Sequence, residues 1–215
     1  MKTIAIISLL FLAGSNTGGP VTIWERPDPA PRETTIVSQA LTVAGDQLFA
    51  SPGPGDLVLS RDSATDNMFD LAGRRALIMG KERGGIDEVW VHPIRILRDY
   101  QAGIVTGDSV SWLHNLVPQV VIQPASFTRT YRVGDTTLTE TLFPSFERAG
   151  GVAYYQSPAP VRLVIRFRTD MRWMWPYDAQ ALGTLYYGFD RGLQALHVRN
   201  RQGSFACLFG SDAKP

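Results

Sequence analysis

The sequence predicts an all-β protein built from antiparallel strands, and three observations carry that prediction. The first is a hairpin wording over residues 127–143, FTRTYRVGDTTLTETLF, in which two alternating runs meet at Gly134-Asp135. Phe127, Tyr131 and Val133 fall on one face of the first run, and Leu138 and Leu142 do the same in the second. A Gly-Asp pair between alternating segments marks a tight hairpin, because glycine reaches positive φ without a Cβ clash. The second is residues 161–169, where Val161, Leu163, Ile165 and Phe167 alternate with Arg162, Arg166 and Arg168, the period of two of a strand with unlike faces. The third is a closing meander of three strands, with turns at 190–192 and 200–203. Strands at such spacing argue for a sandwich or barrel. Past the first dozen residues there is no sustained helical periodicity, no internal repeat and no low-complexity tract.

Taken in order, residues 1–15 read as a secretory signal peptide. Lys2 precedes an apolar run over 4–12, and small residues follow at Ala13, Gly14 and Ser15, the three parts of an export signal. The run is far short of the roughly 20 residues that span a bilayer, and no cysteine follows it to carry a lipid. Cleavage near Ser15 would leave a mature protein in the periplasm or outside the cell. Residues 16–33, with four prolines between Pro20 and Pro31, form an extended lead-in. The β-sandwich domain is expected over 34–215.

Within that domain, residues 34–48 admit either a strand pair broken at Gly45-Asp46 or a short helix, and 51–56 is a loop of glycine and proline. An apolar run over 76–79 ends at Gly80. Residues 81–85 form a polar turn, and 86–96 resume as one aromatic and β-branched segment. A continuous apolar strand over 117–123 is bounded by Pro118 and Pro124. A strand over 152–156 is separated by Ser157-Pro158-Ala159-Pro160 from the one over 161–169. The meander then runs 184–189, 193–199 and 204–209.

A length of 215 residues suits one large domain with a sizeable core, and 44% hydrophobic content is ordinary for a globular chain. Lys plus Arg number 21 against 20 Asp plus Glu. That balance offers nothing to draw nucleic acid or an anionic membrane surface, so neither is an expected partner. Cys207 is the only cysteine, so no internal disulfide forms and the core must hold the fold unaided. Placed between Phe205 and Phe209 at period two, Cys207 reads as a small buried hydrophobe rather than a nucleophile.

The candidate binding feature is Arg172-Trp173-Met174-Trp175-Pro176-Tyr177. In an extended segment Trp173 and Trp175 project to the same face and, with Tyr177, form an aromatic platform suited to the apolar CH faces of sugar rings. The competing reading is a core ridge, or a patch packed on another domain. Glycoside hydrolysis needs two carboxyl groups flanking the scissile bond; the sequence offers Asp87 and Glu88 in GGIDEVW and Glu140 in TETLF. Glu140 shares its face with Leu138 and Leu142 and so points inward, where a carboxylate must be paired or neutral. An ion pair with an arginine is the expected role, while Asp87 and Glu88 read as a turn residue and a strand edge. No catalytic residue is assigned. His92, His114 and His197 are widely spaced without a ligand motif, and no phosphate or dinucleotide fingerprint occurs, so neither metal nor cofactor is expected. The arginines of 162–172 read as a solvated outer strand face.

The wordings ALIMGKERGGIDEVWVHPIRILRDY (76–100), RTYRVGDTTLTETLF (129–143) and DMRWMWPYD (170–178) together resemble the N-terminal region of exported bacterial glycogen-debranching glycosidases, the amylo-α-1,6-glucosidase-like proteins with a six-hairpin catalytic domain. The resemblance spans about residues 71–209. It implies a β super-sandwich of the galactose-mutarotase-like kind, packed on an (α/α)6 toroid that supplies the catalytic acid and base. No helical-hairpin array follows Phe209, so those carboxylates have no counterpart and the chain looks like the accessory sandwich alone. The implied ligand is an α-glucan or oligosaccharide. The alternatives are a free-standing carbohydrate-binding module and, more remotely, a sugar epimerase, which needs a His and a Glu facing one cleft.

Overall fold

In the computed structural model the described residues are 57–211 save 147, 170 and 179, together with the backbone of three short upstream strands, β1 (Thr3–Ile7), β2 (Thr22–Trp24) and β3 (Glu33–Ser38). Apart from those backbone segments, the expected signal peptide (1–15), the lead-in (16–33), the remainder of 34–48 and the loop at 51–56 lie outside the described residues. The chain is all-β and antiparallel, as predicted. Among the described residues the helical element is one 3₁₀ turn, Leu113–Asn115.

The strands that follow are β4 (Leu59–Arg61), β5 (Met68–Ala72), β6 (Ala76–Lys81), β7 (Ile86–Val91), β8 (Ile94–Thr106), β9 (Ser109–Trp112), β10 (Gln119–Gln123), β11 (Ser126–Val133), β12 (Thr136–Pro144), β13 (Gly151–Ser157), β14 (Leu163–Arg168), β15 (Arg172–Trp173), β16 (Leu185–Asp190), β17 (Ala195–Asn200) and β18 (Ala206–Gly210). One sheet has the order β1-β13-β12-β11-β10-β4. A second has the order β3-β14-β8-β7-β6-β5, with β9 and β15 also pairing β8, and a third runs β18-β17-β16-β2.

The predicted hairpin is β11–β12, with Val133 opposite Thr136 and Gly134 at φ +58. Its inward residues Phe127, Tyr131, Leu138 and Leu142 are completely buried, and each such side chain contributes about 1.5–3 kcal/mol through burial. They meet the inner face of the second sheet. Phe127 stacks on Phe69 at 4.1 Å between ring centroids, and the Tyr155 and Tyr100 hydroxyls are 2.9 Å apart across the layer. The third sheet closes one end: Phe209 packs 5.1 Å from Phe167, and the Cys207 sulfur lies 3.6 Å from that of Met171. Cys207 is 2% exposed, and burial pushes its thiol pKa up. A water-soluble disulfide reagent should therefore label it only when the protein is unfolded; stoichiometric labelling of the native protein would contradict this placement.

Two readings of strand boundaries need correction. Residues 86–96 are not one segment: the chain reverses at His92-Pro93 between β7 and β8. Proline has no N–H to give a ladder, which is why the run divides there. Asp87 and Glu88 are likewise not a turn residue and a strand edge. Both lie inside β7, an interior strand between β6 and β8, and Glu88 accepts hydrogen bonds from Arg95 Nη1 at 2.6 Å and Trp90 Nε1 at 2.7 Å.

Candidate functional site

The aromatic segment after β14 takes a different shape from the one its wording suggests. β15 ends at Trp173, with Trp173 opposite Ile94 of β8. The next N–H, of Met174, donates to the Pro93 carbonyl at 2.9 Å, and the Tyr177 N–H donates to the Met174 carbonyl at 3.2 Å. With the Trp175–Pro176 peptide cis, residues 174–177 form a four-residue turn. Trp173 and Trp175 therefore do not sit two apart on a strand. Trp173 is half-buried, edge-on to Phe205 at 4.9 Å and tilted against Tyr177 at 5.3 Å. Trp175 is 84% exposed and Tyr177 61%. The three predicted residues are thus brought together in a new arrangement: Trp173 roots the turn against Phe205, just before β18, while Trp175 and Tyr177 are offered to solvent. Leu182, a few residues on, is buried.

The acidic candidate Glu140 is locked into the core. Arg129 stands directly opposite it in the hairpin register, and Nη1 donates to Glu140 Oε2 at 2.5 Å with both side chains buried. The Tyr155 hydroxyl donates to the other carboxylate oxygen at 2.5 Å, and Tyr100 follows Tyr155. Arg129 spends its remaining donors on the β6–β7 turn: Nε reaches the Glu82 carbonyl at 3.0 Å, and Nη2 reaches those of Lys81 at 2.6 Å and Gly85 at 2.8 Å. The guanidinium also lies over the Phe127 and Phe69 rings, 4.9 and 5.1 Å from their centroids. Burial first, then the Glu140 charge, raises the pKa of the Tyr155 and Tyr100 phenols, so they remain donors. This network joins the two stacked sheets, the structural pairing expected of an inward carboxylate.

A second polar grouping was not legible in the sequence. On the outer face of the β8–β14 ladder, Asp99, Gln101, Arg166, Phe167 and Arg168 line a cleft of about 190 Å³. Gln101 stands opposite Arg166 but Arg98 opposite Arg168, so β8 carries one residue more than β14 over this stretch, a β-bulge. Asp99 takes the bulge with φ +54, a left-handed conformation that Asp and Asn tolerate better than most residues. Its carboxylate pairs with Arg98 at 2.8 Å and Arg168 at 3.6 Å. Arg166 donates to the Gln101 side-chain oxygen and lies 4.5 Å over the Trp112 ring. The arginine stripe is thus partly enclosed, rather than the freely solvated face expected.

The three histidines stay apart from these groups, save that the Arg166 charge, after desolvation, holds the His114 pKa below its ordinary value. Among the described residues no cluster of His, Cys, Asp or Glu is arranged to hold a metal ion. Comparison with protein-family models, with curated proteins and with solved structures finds no match to this chain.

Proposed function

We propose that this chain is the accessory, non-catalytic β-sandwich of an exported glycoside hydrolase acting on α-glucans or oligosaccharides, and that it holds carbohydrate on the turn bearing Trp175 and Tyr177. The observation that carries the reading is the 84% exposure of Trp175 on a turn whose neighbour Trp173 is packed down. A large aromatic kept in water beside Tyr177 and Met174, themselves 61% and 37% exposed, is the kind of apolar patch that marks a binding surface. Flat rings suit the CH faces of pyranoses, and the Tyr177 hydroxyl adds a polar handle.

On this reading the two stacked sheets and the closing third sheet belong to a galactose-mutarotase-like super-sandwich, in line with the resemblance over residues 71–209. The catalytic acid and base belong to an (α/α)6 domain, and export through residues 1–15 puts the protein in the periplasm or outside the cell. The engagement of Glu140 by Arg129 and Tyr155 supports a structural role for the one carboxylate in the hairpin core.

Trp175→Ala should abolish retardation of the protein in a native gel containing soluble α-glucan, with an unchanged circular dichroism spectrum, because stacking on an exposed ring contributes to binding without contributing to the core. Equal retardation of variant and parent would remove the sugar platform and leave the turn as a contact for another domain.

A further inference from the structure

The two stacked sheets differ in extent on the β5 side. Tyr155 of β13 meets Tyr100 of β8, and Phe127 of β11 meets Phe69 of β5. The direction from β13 to β11 in the first sheet is therefore that from β8 to β5 in the second. β5 ends its sheet there, while the first sheet continues through β10 and β4. Side chains on the inner face register this overhang. Ile122 stands opposite Phe127, and Leu59 opposite Ile122, so all three share that face. Phe127 is completely buried and Ile122 half-buried, but Leu59 is 45% exposed and Leu57, two residues earlier, 77%. The loop after β4 closes one end of the opening, where buried Ala64 donates its N–H to the Pro118 carbonyl at 2.9 Å. Ile122, Leu59 and Leu57 remain as an open apolar shelf.

The edge above this shelf is the free side of β5. The Gly73 N–H donates to the Ala76 carbonyl and the Glu82 N–H to the Asn67 carbonyl, so by alternation Phe69 and Leu71 also turn their backbone groups to β6. In an antiparallel ladder the residues between them point theirs the other way. The N–H and carbonyl groups of Met68, Asp70 and Ala72 thus face the free edge, and among the described residues no strand pairs with them. Such an edge accepts a further strand, which would continue the second sheet over the shelf. Asp70, exposed at the middle of β5, chooses the occupant, because a cation directly opposite it is favourable and a like charge unfavourable. Two copies paired symmetrically about Asp70 would set Asp70 against Asp70 and bring both overhangs into the same space, so a second copy does not fit. We propose that β5 takes up one extended peptide segment of a partner protein, antiparallel to it. Alternate apolar residues of that segment face Ile122 and Leu59, and a lysine or arginine stands opposite Asp70.

The probe is the blocked heptapeptide VTVKVTV, titrated into the full chain at low ionic strength while backbone amide exchange is followed by NMR. The amides of Met68, Asp70 and Ala72 should gain protection saturably, and those of Phe69 and Leu71, already turned to β6, should not change. In the peptide, the backbone groups that reach β5 belong to the lysine and the two threonines. N-methylation of those three should abolish binding, whereas N-methylation of the valines, whose N–H groups point away from β5, should preserve it. Glutamate in place of the lysine should weaken binding by about threefold or more, and Asp70→Lys, an exposed change, should reverse that preference. Leu59→Ser should weaken binding by about five- to tenfold through loss of the shelf. Equal binding of the two methylated peptides, equal affinity for the lysine and glutamate peptides, or no saturable protection at Met68, Asp70 and Ala72 would each overturn the assignment.

Discussion

Arg129→Met is expected to destabilise the protein by roughly 3–5 kcal/mol, the usual cost of removing one partner of a buried ion pair. For a domain of this size that corresponds to a fall in Tm of roughly 6–20 °C. The loss has two parts. Glu140, 2% exposed, keeps the Tyr155 hydrogen bond but loses its counter-charge. The carbonyls of Lys81, Glu82 and Gly85 lose the donor that ties the β6–β7 turn to the opposite sheet. The double variant Arg129→Met/Glu140→Leu separates these parts. Replacing both ends of a buried pair by apolar groups is often close to neutral, so the double variant should recover part of the loss. The deficit that remains belongs to the three turn carbonyls. Reversible urea unfolding gives all three values; a single variant within about 0.5 kcal/mol of the parent, the range of an ordinary surface change, would refute the clamp.

Gly80→Ala should cost about 1–3 kcal/mol, as overpacking of a filled core does. A methyl group at 80 would sit 2.7 Å from the Gly85 carbonyl oxygen and 2.9 Å from Phe69 Cε1. Both neighbours are held by Arg129, the first by a hydrogen bond and the second by stacking. The turn or the ring must therefore move against the clamp. Once Arg129 is gone that resistance is lower, so in the Arg129→Met background Gly80→Ala should cost less than in the parent. Non-additivity is the mark of a shared site. Strictly additive unfolding free energies would show that Gly80 and Arg129 act independently.

How far this fold could be read from the chain depends on how local its determinants are. The hairpin, the inward cysteine and the direction of Glu140 all follow from a period of two, which a few residues display. Even the partner of Glu140 was within reach: a two-residue turn at Gly134-Asp135 sets Val133 against Thr136, and counting back places Arg129 against Glu140. The clamp on the β6–β7 turn was not, since Lys81 and Gly85 lie more than forty residues from Arg129 and only sheet stacking unites them. The Asp99 bulge was hidden for a similar reason. One extra residue in β8 is a property of its pairing with β14, and nothing in the wording around Asp99 displays it. For the aromatic segment, the residues were identified but their arrangement was not. The strand ends at Trp173, Met174 bonds to Pro93 of a distant turn, and the reversal closed by Tyr177 on Met174 separates the packed tryptophan from the exposed one.

Whether the exposed turn holds carbohydrate is read from the indole Nε1–H resonances of the five tryptophans while a maltodextrin is added. The expected result is a saturable shift of the Trp175 resonance, a smaller one for Trp173 beneath the turn, and none for Trp90, whose indole N–H is engaged by Glu88. A Trp175 resonance that stays in place up to high maltodextrin concentration would contradict it.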